Sequence, residues 1–113
     1  MQFIQEKNTY KAVKITGPKH HFLGLSFKKD DVTNDNIEMV KLPVQFNEKN
    51  HIYADSIKEQ VMGGVKEING RLNTNYKVEK IYYIPSDSPD KKAYKELAEE
   101  IILRLHKGGI FNS

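Results

Sequence analysis

The residues best suited to chemistry in this 113-residue chain are its four histidines. Neutral imidazole binds metal ions and transfers protons near neutral pH, so the adjacent His20 and His21 are the first candidates. Adjacent residues of a strand point to opposite faces, however, so these two rings do not readily share one metal ion. His51 would have to reach them through folding, and His106 stands where a helix is expected to end. The spacing predicts surface histidines and no metal site.

A second candidate is the turn at residues 85–89, Pro-Ser-Asp-Ser-Pro, which precedes a helical pattern. Backbone N–H groups at a helix start bind anions, but Asp87 would repel an anion and no glycine-rich loop is present. Helix capping therefore explains the Ser and Asp residues of this turn. A small hydrolase or nuclease is kept as an alternative function, although the sequence contains no nucleophile-elbow motif. Its active-site residues would be Asp87 with His20, His21 or His51.

The third candidate is a basic region at residues 7–29, which contains six lysines and no acidic residue. Aromatic rings among lysines can stack bases and follow a nucleic-acid backbone. Phe27 alternates with leucines and is assigned to the core, which leaves Tyr10 and Phe22 as the exposed rings. A net charge of only +3 lowers the expectation for nucleic acid, as does the predominance of lysine over arginine. A nucleic-acid-binding module is therefore retained as an alternative to a protein-binding surface.

Composition bounds the class of protein. The chain is 38% apolar and 29% charged, as expected of one soluble α+β domain over residues 1–113. Because cysteine is absent, disulfides, thiolate catalysis and cysteine metal sites are excluded. No run reaches the roughly 18 apolar residues of a membrane span, and the N-terminus does not resemble a signal peptide. We expect a cytoplasmic protein without membrane contact or cofactor.

The candidate residues must be positioned by secondary structure, and the first predicted elements along the chain are strands. Period-two alternation predicts strands at residues 10–16, 21–28 and 37–46, joined as an antiparallel meander. Pro43 cannot donate a hydrogen bond within a sheet, so the third of these strands is expected at an edge or with a bend. A fourth strand at residues 76–84, apolar on both sides, is expected in the interior of the sheet.

Helical spacing follows in two segments. The first helix is expected to begin at a capping box on Ser56, or with Asp55 as the cap, and to end at Gly70 or in the turn at 73–75. Its paired glycines at 63–64 are expected to let it lie close to the sheet, with a kink or the close approach of a partner as the alternatives.

The second helix completes the predicted architecture. It is expected to start at Ser88-Pro89 and to stop at Gly108-Gly109. Its apolar residues recur on one side, so it must bury that side against another element. The predicted fold is α+β, with strands and helices in the order β-β-β-α-β-α and two helices on one face of an antiparallel sheet.

Two segments resemble the small, cysteine-poor immunity proteins of bacterial contact-dependent or polymorphic toxin systems. They are residues 17–25, Gly-Pro-Lys-His-His-Phe-Leu-Gly-Leu, and residues 84–89 with the helix that follows. Immunity proteins against nucleases are often acidic, whereas this chain is mildly basic. The resemblance therefore implies a partner with an acidic patch, or a contact through the acidic stretches 30–35 and 96–100.

The functional expectation is binding rather than catalysis. The chain resembles a cytoplasmic inhibitor that binds a cognate toxin domain tightly. Charge would accelerate the association, and a few buried side chains would supply most of the binding energy. The expected contact residues are Tyr10, Lys19, His20, His21 and Phe22, with Tyr82 if it reaches the surface. The sequence does not specify an oligomeric state.

Overall fold

The computed structural model describes residues 2–16, 19–28, 37–42, 54–84 and 93–112. Within that part of the chain, the elements are β1 (Gln2–Glu6), β2 (Thr9–Thr16), β3 (Lys19–Phe27), β4 (Glu38–Lys41), α1 (Ala54–Leu72), β5 (Val78–Tyr83) and α2 (Ala93–His106). The predicted α+β class is confirmed, and the predicted element order is correct apart from one additional strand at the start, β1.

The strands form one sheet in the order β1-β2-β3-β5-β4. Neighbouring strands from β1 to β5 are antiparallel, but β4 pairs with β5 in parallel. The predicted meander is therefore wrong for its third strand, because β4 does not pair with β3 and lies beyond β5. β4 does occupy an edge, as expected, although Pro43 lies outside the described residues. β5 lies in the interior of the sheet, as its apolar pattern predicts.

The edge beyond β1 is closed by the C-terminal segment. The N–H of Gln5 donates to the carbonyl of Asn112 at 2.7 Å, and the N–H of Asn112 donates to Phe3 at 2.9 Å. The Phe111 ring meets the Phe3 ring edge-on, with 5.9 Å between centroids. Closing an edge in this way removes backbone groups that could otherwise pair with another chain.

Both helices pack on one face of the sheet, as predicted, and the core lies between the two layers. Alternate residues of the central strand β3, Leu23 and Leu25, are fully buried there with Ile81 of β5. The helices contribute their apolar stripes to the same cluster. Their fully buried members are Ile57, Val61, Leu97, Ala98, Ile101 and Ile102.

The helix ends follow local signals with one correction. α1 already includes Ala54, so Asp55 and Ser56 lie in its first turn and are not its N-cap. α1 ends as Asn73 adopts a φ of 55° and the N–H of Thr74 bonds the carbonyl of Asn69, which leaves Gly70 inside the helix. The expected start of α2 at Ser88-Pro89 lies outside the described residues.

The end of α2 is at the predicted glycines. Gly108 has a φ of 68°, and its N–H donates to the carbonyl of Leu105 at 3.2 Å. The N–H of Gly109 reaches the carbonyl of Arg104 at 2.8 Å. These two bonds form a Schellman motif, which satisfies carbonyls at the end of the helix.

The paired glycines of α1 serve a different contact from the one predicted. A Cβ at Gly64 would lie 2.7 Å from the carbonyl oxygen of Lys95, so this glycine permits close approach between α1 and α2 rather than between α1 and the sheet. Gly63 faces open space, with no atom within 4 Å of an added Cβ.

Candidate functional site

The face of the sheet opposite the helices, here called the open face, carries the candidate site. Neither described helix packs on it, and its side chains fall into rows fixed by the strand register. The central row is Ile4, Lys11, Gly24, Tyr82 and Val40. Gln2, Val13 and Phe22 flank it on one side, and Glu6, Thr9, Ser26, Lys80 and Glu38 flank it on the other.

A depression lies in the middle of the open face, next to Gly24. A Cβ at Gly24 would lie 3.1 Å from the Cβ of Tyr82 and 3.5 Å from the Cγ of Lys11. The same two side chains line a cavity of about 230 Å³, together with Glu6, Lys7, Thr9 and Leu42. An added Cβ would be crowded against the Cβ of Tyr82, so the glycine gives the side chains of the neighbouring strands room to approach the central strand.

Charged groups border this depression as ion pairs. Lys11 Nζ lies 2.6 Å from Glu6 Oε2, and this hydrogen bond holds the pKa of the Glu6 carboxyl below its ordinary value. Lys80 Nζ lies 3.5 Å from Glu38 Oε2 in the same outer row. The open face therefore has paired charges along one side and half-buried apolar side chains towards the other.

The structure brings two of the predicted contact residues onto this face. Phe22 is half-buried and shares the face with Gly24, and Tyr82 is the cross-strand partner of Gly24. Lys19 and His20 occupy the end of the same hairpin, opposite Thr16 and Ile15. Tyr82 is a predicted contact residue only if it reaches the surface, and its side chain is half-buried on the open face and so partly exposed.

Tyr10 lies on the other side of the sheet, contrary to its assignment with Phe22 as an exposed ring. The register sets Tyr10 opposite Leu25, a core residue, so its side chain points towards the helix layer. Its ring contacts Phe27 and Phe111, at centroid distances of 6.0 and 5.1 Å. Tyr10 therefore belongs to an aromatic cluster beneath the C-terminal segment.

His21 is likewise buried rather than at the surface. Only 4% of the residue is exposed, and its ring meets the Tyr94 ring of α2 edge-on at 6.2 Å. Its Nδ1 has no hydrogen-bond partner among the described residues. Burial raises the pKa of the Tyr94 phenol to about 12, so this tyrosine stays neutral near pH 7. The pair lies inside the core, where a partner protein does not reach it.

The remaining catalytic candidates are not brought together within the described residues. No group of three or more His, Cys, Asp or Glu residues there could hold a metal ion. His51 and Asp87 lie outside the described residues. His106 is exposed at the end of α2, with its ring 6.5 Å from that of Tyr76.

Comparison with known proteins adds no assignment. No protein-family model, curated protein or solved structure matches the chain. Neither of the two helices in the described part of the chain is long and apolar enough to cross a membrane. Within the described residues, the fold is a two-layer α+β arrangement in which one sheet face carries no helix.

Proposed function

We propose that this chain is a non-catalytic protein-binding module that acts in the cytoplasm and neutralises a cognate bacterial toxin domain. The observation that carries the proposal is the open face. There, the aromatic side chains of Phe22 and Tyr82 accompany a depression beside Gly24. The sequence resemblance to immunity proteins suggests the class of partner.

The geometry of the open face suits a protein partner. Binding energy at protein interfaces concentrates in a few aromatic or arginine anchors, and strands hold such anchors at a low cost in entropy. The cavity of about 230 Å³ beside Tyr82 is large enough to receive one side chain of a partner. Glu6, Lys7 and Lys11 line it, and Lys11 is paired with Glu6, so the cavity favours a hydrogen-bonding side chain as the inserted group.

The ion pairs of the basic region favour a protein over a nucleic acid. Lys11 is paired with Glu6, and Lys14 Nζ lies 2.9 Å from Glu96 Oε2 of α2. A phosphate backbone would compete with these carboxylates for each lysine. A protein interface on the open face can instead retain the Lys11–Glu6 pair at its polar rim, and the Lys14–Glu96 pair lies on the helix side of the sheet.

The proposal predicts that a toxin domain is encoded beside the gene for this chain, and co-expression with that domain tests it. The wild-type protein should protect the bacterial host, whereas Phe22→Asp and Tyr82→Asp should each weaken binding about a hundredfold by calorimetry. Ile110→Asp is the matched control, because Ile110 is 75% exposed outside the open face and the same change there should leave binding intact.

Thermal unfolding of each variant separates loss of binding from loss of the fold. Full protection by a folded Phe22→Asp/Tyr82→Asp double variant would contradict the proposed surface. Failure of the wild-type protein to bind the toxin would contradict the proposed function. Binding to a single-stranded oligonucleotide that weakens steeply with salt would replace it by the nucleic-acid alternative.

A further inference from the structure

A second cavity, of about 450 Å³, lies on the helix side of the sheet. Its walls come from the C-terminal half of α1, the segment leading into β5, and the ends of β3 and β4. The volume falls within the range of roughly 300–1,000 Å³ that is typical of small-molecule sites. The cavity is separate from the open face and has no part in the proposed toxin contact.

The deepest lining of the cavity is apolar. Val65 and Val78 line it while being only 3% and 2% exposed, so their side chains form its floor. Met62 and Ile37 add half-buried apolar surface. A ligand that fills this floor must therefore present an apolar body.

The charged residues in the described lining of the cavity are all cationic. Lys28, Lys66 and Lys77 line the cavity, and no Asp or Glu occurs among its described lining residues. None of these three lysines forms an ion pair with another described residue, whereas Lys11, Lys80 and Lys95 elsewhere all do. Cations that have no ion-pair partner in the described part of the chain, placed around an apolar floor, attract a molecule that is apolar at one end and anionic at the other.

One wall of the cavity is held rigidly by Asn69. Its Oδ1 accepts hydrogen bonds from the N–H of Tyr76 at 3.0 Å and from the hydroxyl of Thr74 at 2.9 Å. Its Nδ2 donates to the carbonyl of Tyr76 at 3.0 Å. The N–H of Lys28 donates to the carbonyl of Lys77 at 2.8 Å, which joins the backbones of two of the lysines. The cavity is thus largely preformed, which lowers the entropic cost of binding.

We infer that this cavity binds a small organic carboxylate, with an aromatic or short aliphatic body on the valine floor and the carboxylate among the three lysines. The inference does not rest on the proposed function, because the cavity and the open face share no lining residue. The Asn69 side chain, whose amide is bonded to Thr74 and Tyr76, contributes the shape of the wall.

Titration with 2-naphthoate, followed by amide chemical shifts in the full-length protein, tests the inference. Shifts should cluster at Lys66, Asn69 and residues 76–78, with saturable binding at up to millimolar concentration. The neutral analogue 2-naphthamide, which has the same rings, should bind about tenfold more weakly because it lacks the charge.

Charge variants provide the second arm. The triple variant Lys28→Gln/Lys66→Gln/Lys77→Gln should weaken naphthoate binding about tenfold and leave naphthamide binding unchanged. Lys58→Gln is the control, since Lys58 is an exposed lysine of the same helix that does not line the cavity. Equal affinity for the acid and the amide, shifts scattered over the surface, or no binding at millimolar naphthoate would overturn the inference.

Discussion

The two faces of the sheet differ although the same strands build both. On the covered face, Leu23 and Leu25 of β3 are fully buried beneath the helices. On the open face, the intervening residue of the same strand is Gly24, and its neighbour Tyr82 stays half-buried. Alternation along one strand thus separates core residues from residues of the open face, so that the latter can change without disturbing the core.

The central strand shows the difference most clearly. It carries leucines towards the helices, but the small residues Gly24 and Ser26 towards the open face. Large side chains on the core side fill the space between layers at close-packed density. Small ones on the other side leave the depression that Tyr82 borders.

The largest expected effect comes from neighbouring positions on these two faces. Leu23→Ala should lower the free energy of unfolding by about 2–5 kcal/mol, because it leaves a cavity in a closed core. Phe22→Ala should lower it by only about 1 kcal/mol, because the ring is half-buried, while still weakening partner binding. Urea denaturation measures both. Equal losses at the two positions would mean that the open face is also a core face.

The next effect distinguishes the two adjacent glycines of α1. Gly64→Ala should destabilise the protein by about 1–3 kcal/mol, because the new Cβ would meet the backbone of α2. Gly63→Ala should stabilise it by about 0.5–1 kcal/mol, because alanine favours the helix and the space there is open. Thermal unfolding of the pair gives the sign of each change. A stable Gly64→Ala protein would show that the two helices can separate without cost.

The parts of this fold that local pattern determines are the ones the sequence predicts. Helical periodicity identifies both helices, and the glycine at the end of α2 identifies its stop at Gly108. β1 lacks a clear alternation, because Phe3 and Ile4 are adjacent, and it is held by pairing with β2 and the C-terminal segment. The crossing of β4 to the far side of β5 is likewise a long-range event that local sequence does not encode.

The site was predictable in part for the same reason. Phe22 differs in parity from Leu23 and Leu25, so alternation alone separates it from the core. His21 has the same parity as the two leucines, so alternation also indicates that it is buried. The prediction of a surface histidine did not use this signal. The position of Tyr10 depends on the pairing register and on Phe111 from the far end of the chain, which no local pattern contains.

The smallest expected effect concerns carboxylates where the helices meet. Hydrogen bonds and charge from Lys95 and Arg71 lower the pKa of Glu67 from 4.5 to about 2. Burial, reinforced by the nearby Glu67 charge, raises the pKa of Glu99, whose Oε1 lacks a hydrogen-bond partner among the described residues. The two groups therefore affect stability in opposite directions.

Removing each charge should separate them. Glu67→Gln should lower the melting temperature at pH 7, because ionised Glu67 stabilises the fold above its unfolded pKa of 4.5 and loses this effect as the pH falls towards 2. Glu99→Gln should raise the melting temperature at pH 7, because burial penalises the ionised form above pH 4.5. Both differences should shrink as the pH falls and vanish below pH 2, where both carboxyl groups are protonated in the folded and the unfolded state. Glu6→Gln on the open face is the matched control, because Glu6 is an exposed carboxylate paired with a lysine. It should lower the melting temperature at pH 7, as Glu67→Gln does. If Glu99→Gln instead lowered the melting temperature at pH 7, the Glu99 carboxylate would be solvated or paired with a cation. The interface between the two helices would then be accessible to water at this position.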